Sequence, residues 1–241
     1  MNKTIKITVL AAFTLIGSAT FGQSLNFSGG YTTSTLKGPD ISESSTNETY
    51  GNTTYSSSMA IKNTSGFNAS MGYEFKLGDR LSLETGLKYI NRGYKVIGES
   101  SYQDPTYSST SKSTVDYKMN YFDLPVVLNT AILTGDVRVY ARTGIYAGLM
   151  TSIKYTEETE FSGTMGSGTQ SAKERVSGSD IGDLSERIGG GFVLGVGAEY
   201  KNFFFEANYT LGTYSLEHLD EETYTHDLSL SVGYKLKFNK K

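Results

Sequence analysis

From Thr223 to Phe238 the chain alternates with hardly a fault. Tyr224, His226, Leu228, Leu230, Val232, Tyr234, Leu236 and Phe238 share one parity. Thr223, Thr225, Asp227, Ser229, Ser231, Gly233, Lys235 and Lys237 share the other. An extended chain points successive side chains to opposite faces, so this segment is a strand with one apolar and one polar face. Such a strand needs neighbours that repeat its pattern, and the rest of the sequence supplies them.

Seven earlier segments alternate in the same way. They are centred on Leu25–Tyr31, Phe67–Leu77, Leu81–Tyr89, Tyr117–Thr130, Val137–Leu149, Phe192–Tyr200 and Phe203–Leu211. The fourth changes phase: Phe122, Leu124, Val126 and Leu128 alternate, while Tyr117, Met119 and Tyr121 hold the opposite parity. A bulge before Phe122 is expected there. Gly78-Asp79, Thr134-Gly135-Asp136 and Lys201-Asn202 are tight hairpin turns. The other four links are longer, near 37–59, 99–113, 156–185 and 217–222, and three are rich in Ser, Thr, Gly and Asn. Short and long links alternate along the chain. That sorting is the signature of an all-β, eight-stranded antiparallel up-and-down transmembrane β-barrel, with short periplasmic turns and longer outer loops.

The N-terminus agrees with export. Lys3 and Lys6 precede a short apolar core, Ile7 to Ile16, and a small-residue stretch to Gly22. Residues 1–22 read as a signal peptide and 23–241 as one barrel domain. The chain holds no cysteine, which excludes disulfides and a lipid-anchoring cysteine. Without the two signal lysines, 20 basic and 25 acidic residues remain, a formal charge of −5. Nucleic acid is therefore not an expected partner. A hydrophobic content of only 37% fits a barrel, because half of each strand faces a polar lumen.

Placed on a barrel, the polar parity becomes the lumen. Glu74, Glu84, Lys88, Arg92, Arg138, Arg142, Glu199, Glu206, Asp227 and Lys235 fall there, with Lys76 and Asp123 beside them. Eight strands leave an interior that side chains fill. Mixed acids and bases in so narrow a space predict an ion-paired plug, since an unpaired buried charge is costly. A selective narrow channel is the sharper alternative. Eighteen tyrosines and twelve phenylalanines without tryptophan suit aromatic girdles. Tyr73, Phe75, Tyr200, Phe203 and Phe238 are placed at the periplasmic girdle, and Tyr31, Tyr89, Tyr155 and Tyr224 at the outer one. An enzyme is not expected. There are only two histidines, His218 and His226, and the parity of His226 separates it from Ser229. His218 with Glu217 and Asp220 reads as a solvated loop before it reads as a metal site, so no cofactor is expected. Glu157, Glu158, Glu160, Glu174, Asp180 and Asp183, with Asp220 to Glu222, suggest an acidic outer rim. Divalent cations can bridge such a rim to lipopolysaccharide phosphates.

The last strand, Ser231-x-Gly233-x-x-Leu236-x-Phe238, resembles the C-terminal assembly signal of bacterial outer-membrane barrels. The resemblance implies recognition by the barrel-assembly machinery. Tyr121-Phe122-Asp123-Leu124-Pro125, Gly191-x-x-x-Gly195-x-Gly197-x-Glu199 and Phe205-Glu206-x-x-Tyr209-x-x-Gly212 resemble the outer-membrane β-barrel family of Bacteroidota, the PorT-like group, with a layout of the OmpA/OmpX type. That family shares a fold and not one activity. It implies residence in the outer membrane among lipid and lipopolysaccharide. The reading that follows is a non-catalytic structural or surface-interaction protein, whose loops contact an extracellular protein or glycan ligand. A porin-like channel, or an accessory to secretion or motility, is the alternative.

Overall fold

The structure, a computed structural model, describes residues 23–38, 43–181, 183–212 and 224–238. Segment 1–22, the loop around His218 and the acids Asp220 to Glu222 lie outside the described residues. Among the described residues eleven strands form: β1 (Gln23–Lys37), β2 (Ser44–Tyr50), β3 (Thr53–Lys62), β4 (Thr64–Lys76), β5 (Leu81–Gln103), β6 (Ser108–Leu133), β7 (Val137–Gly163), β8 (Gly166–Ser177), β9 (Ile188–Tyr200), β10 (Phe203–Gly212) and β11 (Tyr224–Phe238). A 3-10 turn, Gly178–Ile181, and a single helical turn, Leu184–Arg187, stand between β8 and β9.

Eight of these strands close a ring, in the order β1-β4-β5-β6-β7-β9-β10-β11 and back to β1, all antiparallel. Closure is made by β1 against β11, from Gln23↔Phe238 to Lys37↔Tyr224. A closed ring leaves no unpaired edge within the membrane, where a bare N–H or C=O has no water to bond. The three tight turns sit at the end where Gln23 and Phe238 pair. Lys201 takes φ 57° in the two-residue β9–β10 turn, and Asn202 fastens that turn by donating Nδ2 to the Lys235 carbonyl at 2.9 Å. The outward parity is an apolar belt: Phe67, Leu124, Ile145, Phe192, Leu194, Val196, Phe205, Leu230 and Val232 are all exposed. A continuous belt of this size on a soluble protein would aggregate, and lipid is the solvent that accepts it.

The other end departs from the sequence reading. Three of the links expected to be loops are largely strand. β5, β6 and β7 continue well past the ring, β3 leads into β4 through Asn63 alone, and the β2–β3 hairpin and β8 add to the sides. A second sheet therefore stands above the ring, in the order β2-β3-β5-β6-β7-β8. Among the described residues the links left at this end are short turns, such as Asp104 to Tyr107, where the Asp104 carboxylate accepts from the Thr106 and Tyr107 amides. Ser- and Thr-rich runs form strands here because cross-strand hydroxyls pair, as Ser56 does with Ser101 at 2.6 Å.

The bulge expected before Phe122 is not in that strand. β6 keeps one register with β5 along their shared length. The bulge at that level belongs to β7, where Thr151 is the extra residue between Tyr121↔Met150 and Asn120↔Ser152. Tyr117, Met119 and Tyr121 do not change parity relative to Asp123. They lie on the lumen side, and what changes is the polarity of that side.

Candidate functional site

The lumen is built by strands whose inward positions are charged. Asp123 and all ten residues expected on the polar parity are brought into one interior by the ring. Near the periplasmic end, Glu74 accepts from Lys235 Nζ at 2.6 Å and Arg138 Nη1 at 3.1 Å. Glu199 takes Lys235 at 2.9 Å and Lys237 at 2.7 Å, with Arg138 at 3.6 Å. In the middle, Arg142 lies against Glu84 at 3.3 Å and pairs directly with Glu206. Tyr140 donates to Glu206 at 3.0 Å. Higher up, Arg92 donates from both Nη atoms to Asp123, at 3.0 and 2.6 Å, and from Nε to Asp227 at 2.8 Å. Its guanidinium carbon lies 4.7 Å from the Tyr146 ring centre and 5.2 Å from that of Tyr121. Lys88 reaches Ser229 at 3.5 Å and faces Asp227 and Asp123. Six bases thus meet six acids, and each charge has an opposite charge beside it. Lys76 sits at the periplasmic rim and is exposed.

Packing completes the closure. A Cβ on Gly197 would stand 2.4 Å from the Tyr140 ring, so only glycine lets that ring lie across the lumen. Phe204 and Tyr121 also fill the interior, and the sequence reading missed both as lumen residues. The free volume at mid-lumen is 50 Å³, room for a few waters. Above the Arg92 cluster, Ile90, Met119, Tyr121 and Met150 form a buried apolar layer, packed by Tyr94, Ile153 and Ile181. The periplasmic end instead opens into a recess of 630 Å³ lined by Lys76, Arg138, Glu199 and Lys237.

The upper sheet reverses the polarity of the wall. Within the membrane the lumen side is polar and the outer side apolar. Above it, the side continuous with the lumen carries Tyr55, Met59, Tyr94, Val96, Tyr102, Val115, Tyr117, Tyr155 and Phe161, a parity set by unbroken register in β5 and β6 and by the bulge in β7. Tyr94 stacks on Tyr117 with centroids 4.9 Å apart, and Tyr117 meets Tyr155 at 6.2 Å. Tyr155, expected in the outer girdle, therefore belongs to this face. Burial against Tyr117 pushes the Tyr94 hydroxyl up to about 12. The opposite side carries Ser56, Ser58, Lys95, Glu99, Ser101, Thr110, Lys112, Glu158, Glu160 and Ser162. The expected acidic rim is thereby divided: Glu157 and Glu174 lie on the tyrosine side, Glu158 and Glu160 on the serine side.

Of the assembly-signal positions, Ser231 is buried in the lumen and donates to Asn68 at 2.9 Å. The Phe204 ring covers Gly233, while Leu236 and Phe238 lie on the outer face and are exposed. His226 faces outward and meets the Tyr209 hydroxyl, and Ser229 is fully buried on the other side of the wall.

The attachment invasion locus protein Ail of Yersinia pestis, solved with the heparin analogue sucrose octasulfate, is similar at 16% identity, covering 90% of this chain and 99% of that one, with a TM-score of 0.41. Neisserial surface protein A is similar at 12% identity, covering 88% and 97%, with a TM-score of 0.39. No curated protein sequence matches the chain. The profile of the family described as outer membrane protein beta-barrel domain matches residues 18–218. With a closed eight-strand ring, an apolar belt around it and that match over most of its length, the chain belongs to the outer membrane protein beta-barrel domain family and resides in the outer membrane.

Proposed function

We propose that this is a non-catalytic surface-interaction protein. The barrel is an anchor and the upper sheet holds an extracellular protein or glycan ligand against its tyrosine side. The observation that carries this is the polarity reversal. A sheet that only extended the wall into water would turn polar on both sides, yet Tyr55, Met59, Tyr102 and Phe161 are left substantially exposed on one. Tyrosines supply large, rigid contact area with a hydroxyl at the tip, which suits them to binding surfaces. Site-specific photo-crosslinking tests the proposal in intact cells. A probe at Tyr55 or Tyr102 should capture a ligand that a probe at Thr54, on the serine side, does not. Equal capture from both sides, or capture unchanged by Tyr55→Ser/Tyr102→Ser in a barrel that still assembles, would refute it.

The ion-paired interior supports a plug in place of a channel. In planar bilayers the barrel is expected to give no discrete conductance, and a stable unit conductance sensitive to Arg142→Ala would remove the plug. The resemblance of Tyr121–Pro125 supports a place in the PorT-like group. An accessory role in secretion, which that place implies, predicts that deleting the gene lowers secreted protein, and unaltered secretion excludes it.

A further inference from the structure

The serine side of the upper sheet holds a second feature, at its base, where the wall leaves the membrane. Going up that side, the first row is aromatic: Phe67, Tyr89 and Phe122, with ring centroids 5.4 Å apart in both successive pairs. Next comes an amide row, where Asn91 donates to Asn120 and Asn120 donates to Ser152 at 2.6 Å. The two rows above are basic. Lys118 is directly opposite Lys154, and Lys154 is directly opposite Arg175. One row further, Lys62 is opposite Lys95 and Lys173 is opposite Thr156, with Asp116 the one acid between them, opposite Lys95. Like charges directly opposed on one face of a sheet repel.

The same sheet shows that this is not its general habit. Two rows higher, Lys112 stands between Glu99 and Glu160, and its Nζ lies 2.8 Å from Glu99. At the base the acids do not match the bases. Asp116 lies 3.7 Å from Lys118, and Lys62 pairs with Glu43. Among the described residues, no carboxylate lies within ion-pairing distance of Lys95, Lys154, Lys173 or Arg175. The ladder is open to its surroundings: Lys154, Lys173 and Arg175 are exposed.

Its height identifies those surroundings. Lys118 is four residues above Phe122 on β6, roughly 13 Å along the strand and closer to 10 Å along the membrane normal, given the tilt of barrel strands. The serine side is continuous with the lipid-facing side of the wall. These cations therefore project sideways at the depth of the outer-leaflet headgroups. We propose that Lys118, Lys154 and Arg175, flanked by Lys95 and Lys173, form a binding surface for the phosphates of an outer-leaflet phosphoglycolipid. The anions relieve the repulsion that the ladder carries alone, and contact is direct, with no cation bridging from acidic loops. Arginine supplies a planar fork for one phosphate and the lysines supply point charges. This surface is on the opposite side from the tyrosine face and does not depend on what that face holds.

The test uses the full mature chain in phosphatidylcholine nanodiscs with graded amounts of bisphosphorylated lipid A, retained lipid being counted by native mass spectrometry. At roughly fivefold per basic residue near an anionic surface, Lys118→Gln/Lys154→Gln/Arg175→Gln should retain lipid A roughly 100-fold more weakly, and Lys154→Gln alone about fivefold. Lys112→Gln, two rows up and paired, should change nothing. Monophosphorylated lipid A should bind less well, and free inorganic phosphate should not displace the lipid. Unchanged retention in both the triple and the single variant would overturn the proposal. Displacement by inorganic phosphate would assign the ladder to a free anion instead. In discs of phosphatidylcholine alone, the triple variant should unfold no earlier than the parent. Equal destabilisation with and without lipid A would make the ladder merely structural and overturn it.

Discussion

Arg92 is the most demanding position in the lumen, and replacing it with leucine tests the plug directly. Its side chain is almost wholly buried. It supplies a two-pronged pair to Asp123 and a third hydrogen bond to Asp227, and it lies over the rings of Tyr121 and Tyr146. Leucine keeps much of the apolar contact and removes the charge. Two carboxylates then share Lys88 alone. Breaking a buried pair by removing one partner costs about 3–5 kcal/mol, and the lost cation–ring contacts add about 0.5–2 kcal/mol. Partial rescue by Lys88 offsets some of this, so a loss of roughly 4 kcal/mol is expected, about a thousandfold in the folding equilibrium. Because the chain has no tryptophan, urea unfolding is best followed by the gel mobility of the unboiled barrel. The companion Arg92→Leu/Asp123→Leu leaves Lys88 to face Asp227 as a balanced pair and should recover most of the loss. A single variant within about 1 kcal/mol of the parent, or a double variant worse than the single, would refute the reasoning.

Gly197→Val should drive the Tyr140 ring off its seat and away from Glu206, costing about 1–3 kcal/mol in the same assay. The amides of Thr106 and Tyr107 and the Tyr102 hydroxyl hold the Asp104 carboxyl below its ordinary range. A depressed folded value means that the stabilisation is present above the unfolded pKa of about 3.9 and is lost as pH falls through the folded one. The protection of the Thr106 and Tyr107 amides, relative to their intrinsic exchange rate, should therefore fall only in acid, and Asp104→Asn should remove that pH dependence. Phe238→Ser should lower the yield of inserted barrel measured by heat-modifiable mobility, and normal insertion would remove the proposed assembly role of the strand end.

The wall of the barrel was legible because membrane strands write their environment into the sequence. Leu228, Leu230 and Val232 against Asp227, Ser229 and Ser231 is a contrast that any reading of alternation detects. The upper sheet was not, and the reason is physical. There the serine side and much of the tyrosine side are similar in hydropathy, so Ser100-Ser101-Tyr102 or Ser109-Thr110-Ser111 reads as loop. The same blindness produced the misplaced bulge. Tyr117, Met119 and Tyr121 keep the parity of Asp123; the rule that apolar residues point at lipid holds within the membrane, whereas above it the apolar side is the inner one. The signal that was available is the alternation of tyrosine and valine with lysine, as in Tyr94-Lys95-Val96. For the lumen, parity gave the set of charges but not their partners. Which acid Arg92 takes depends on the stagger of β5 against β6 and on β11 across the interior, and that is a property of the closed ring.

The length of β5, β6 and β7 also decides how the molecule carries load. Each runs from the periplasmic rim through the wall into the upper sheet without a break in the chain. A ligand tugging outward on that sheet pulls along the strands, so the hydrogen bonds between them are strained in parallel and must fail together. Peeling would need force across the strands, and among the described strands of the upper sheet the flanking β2–β3 hairpin and β8 are the ones exposed to it. In the proposed binding role the long strands thus make the wall strong along the membrane normal and weaker sideways, so that tension sheds the flanking strands before it disturbs the part held in the membrane.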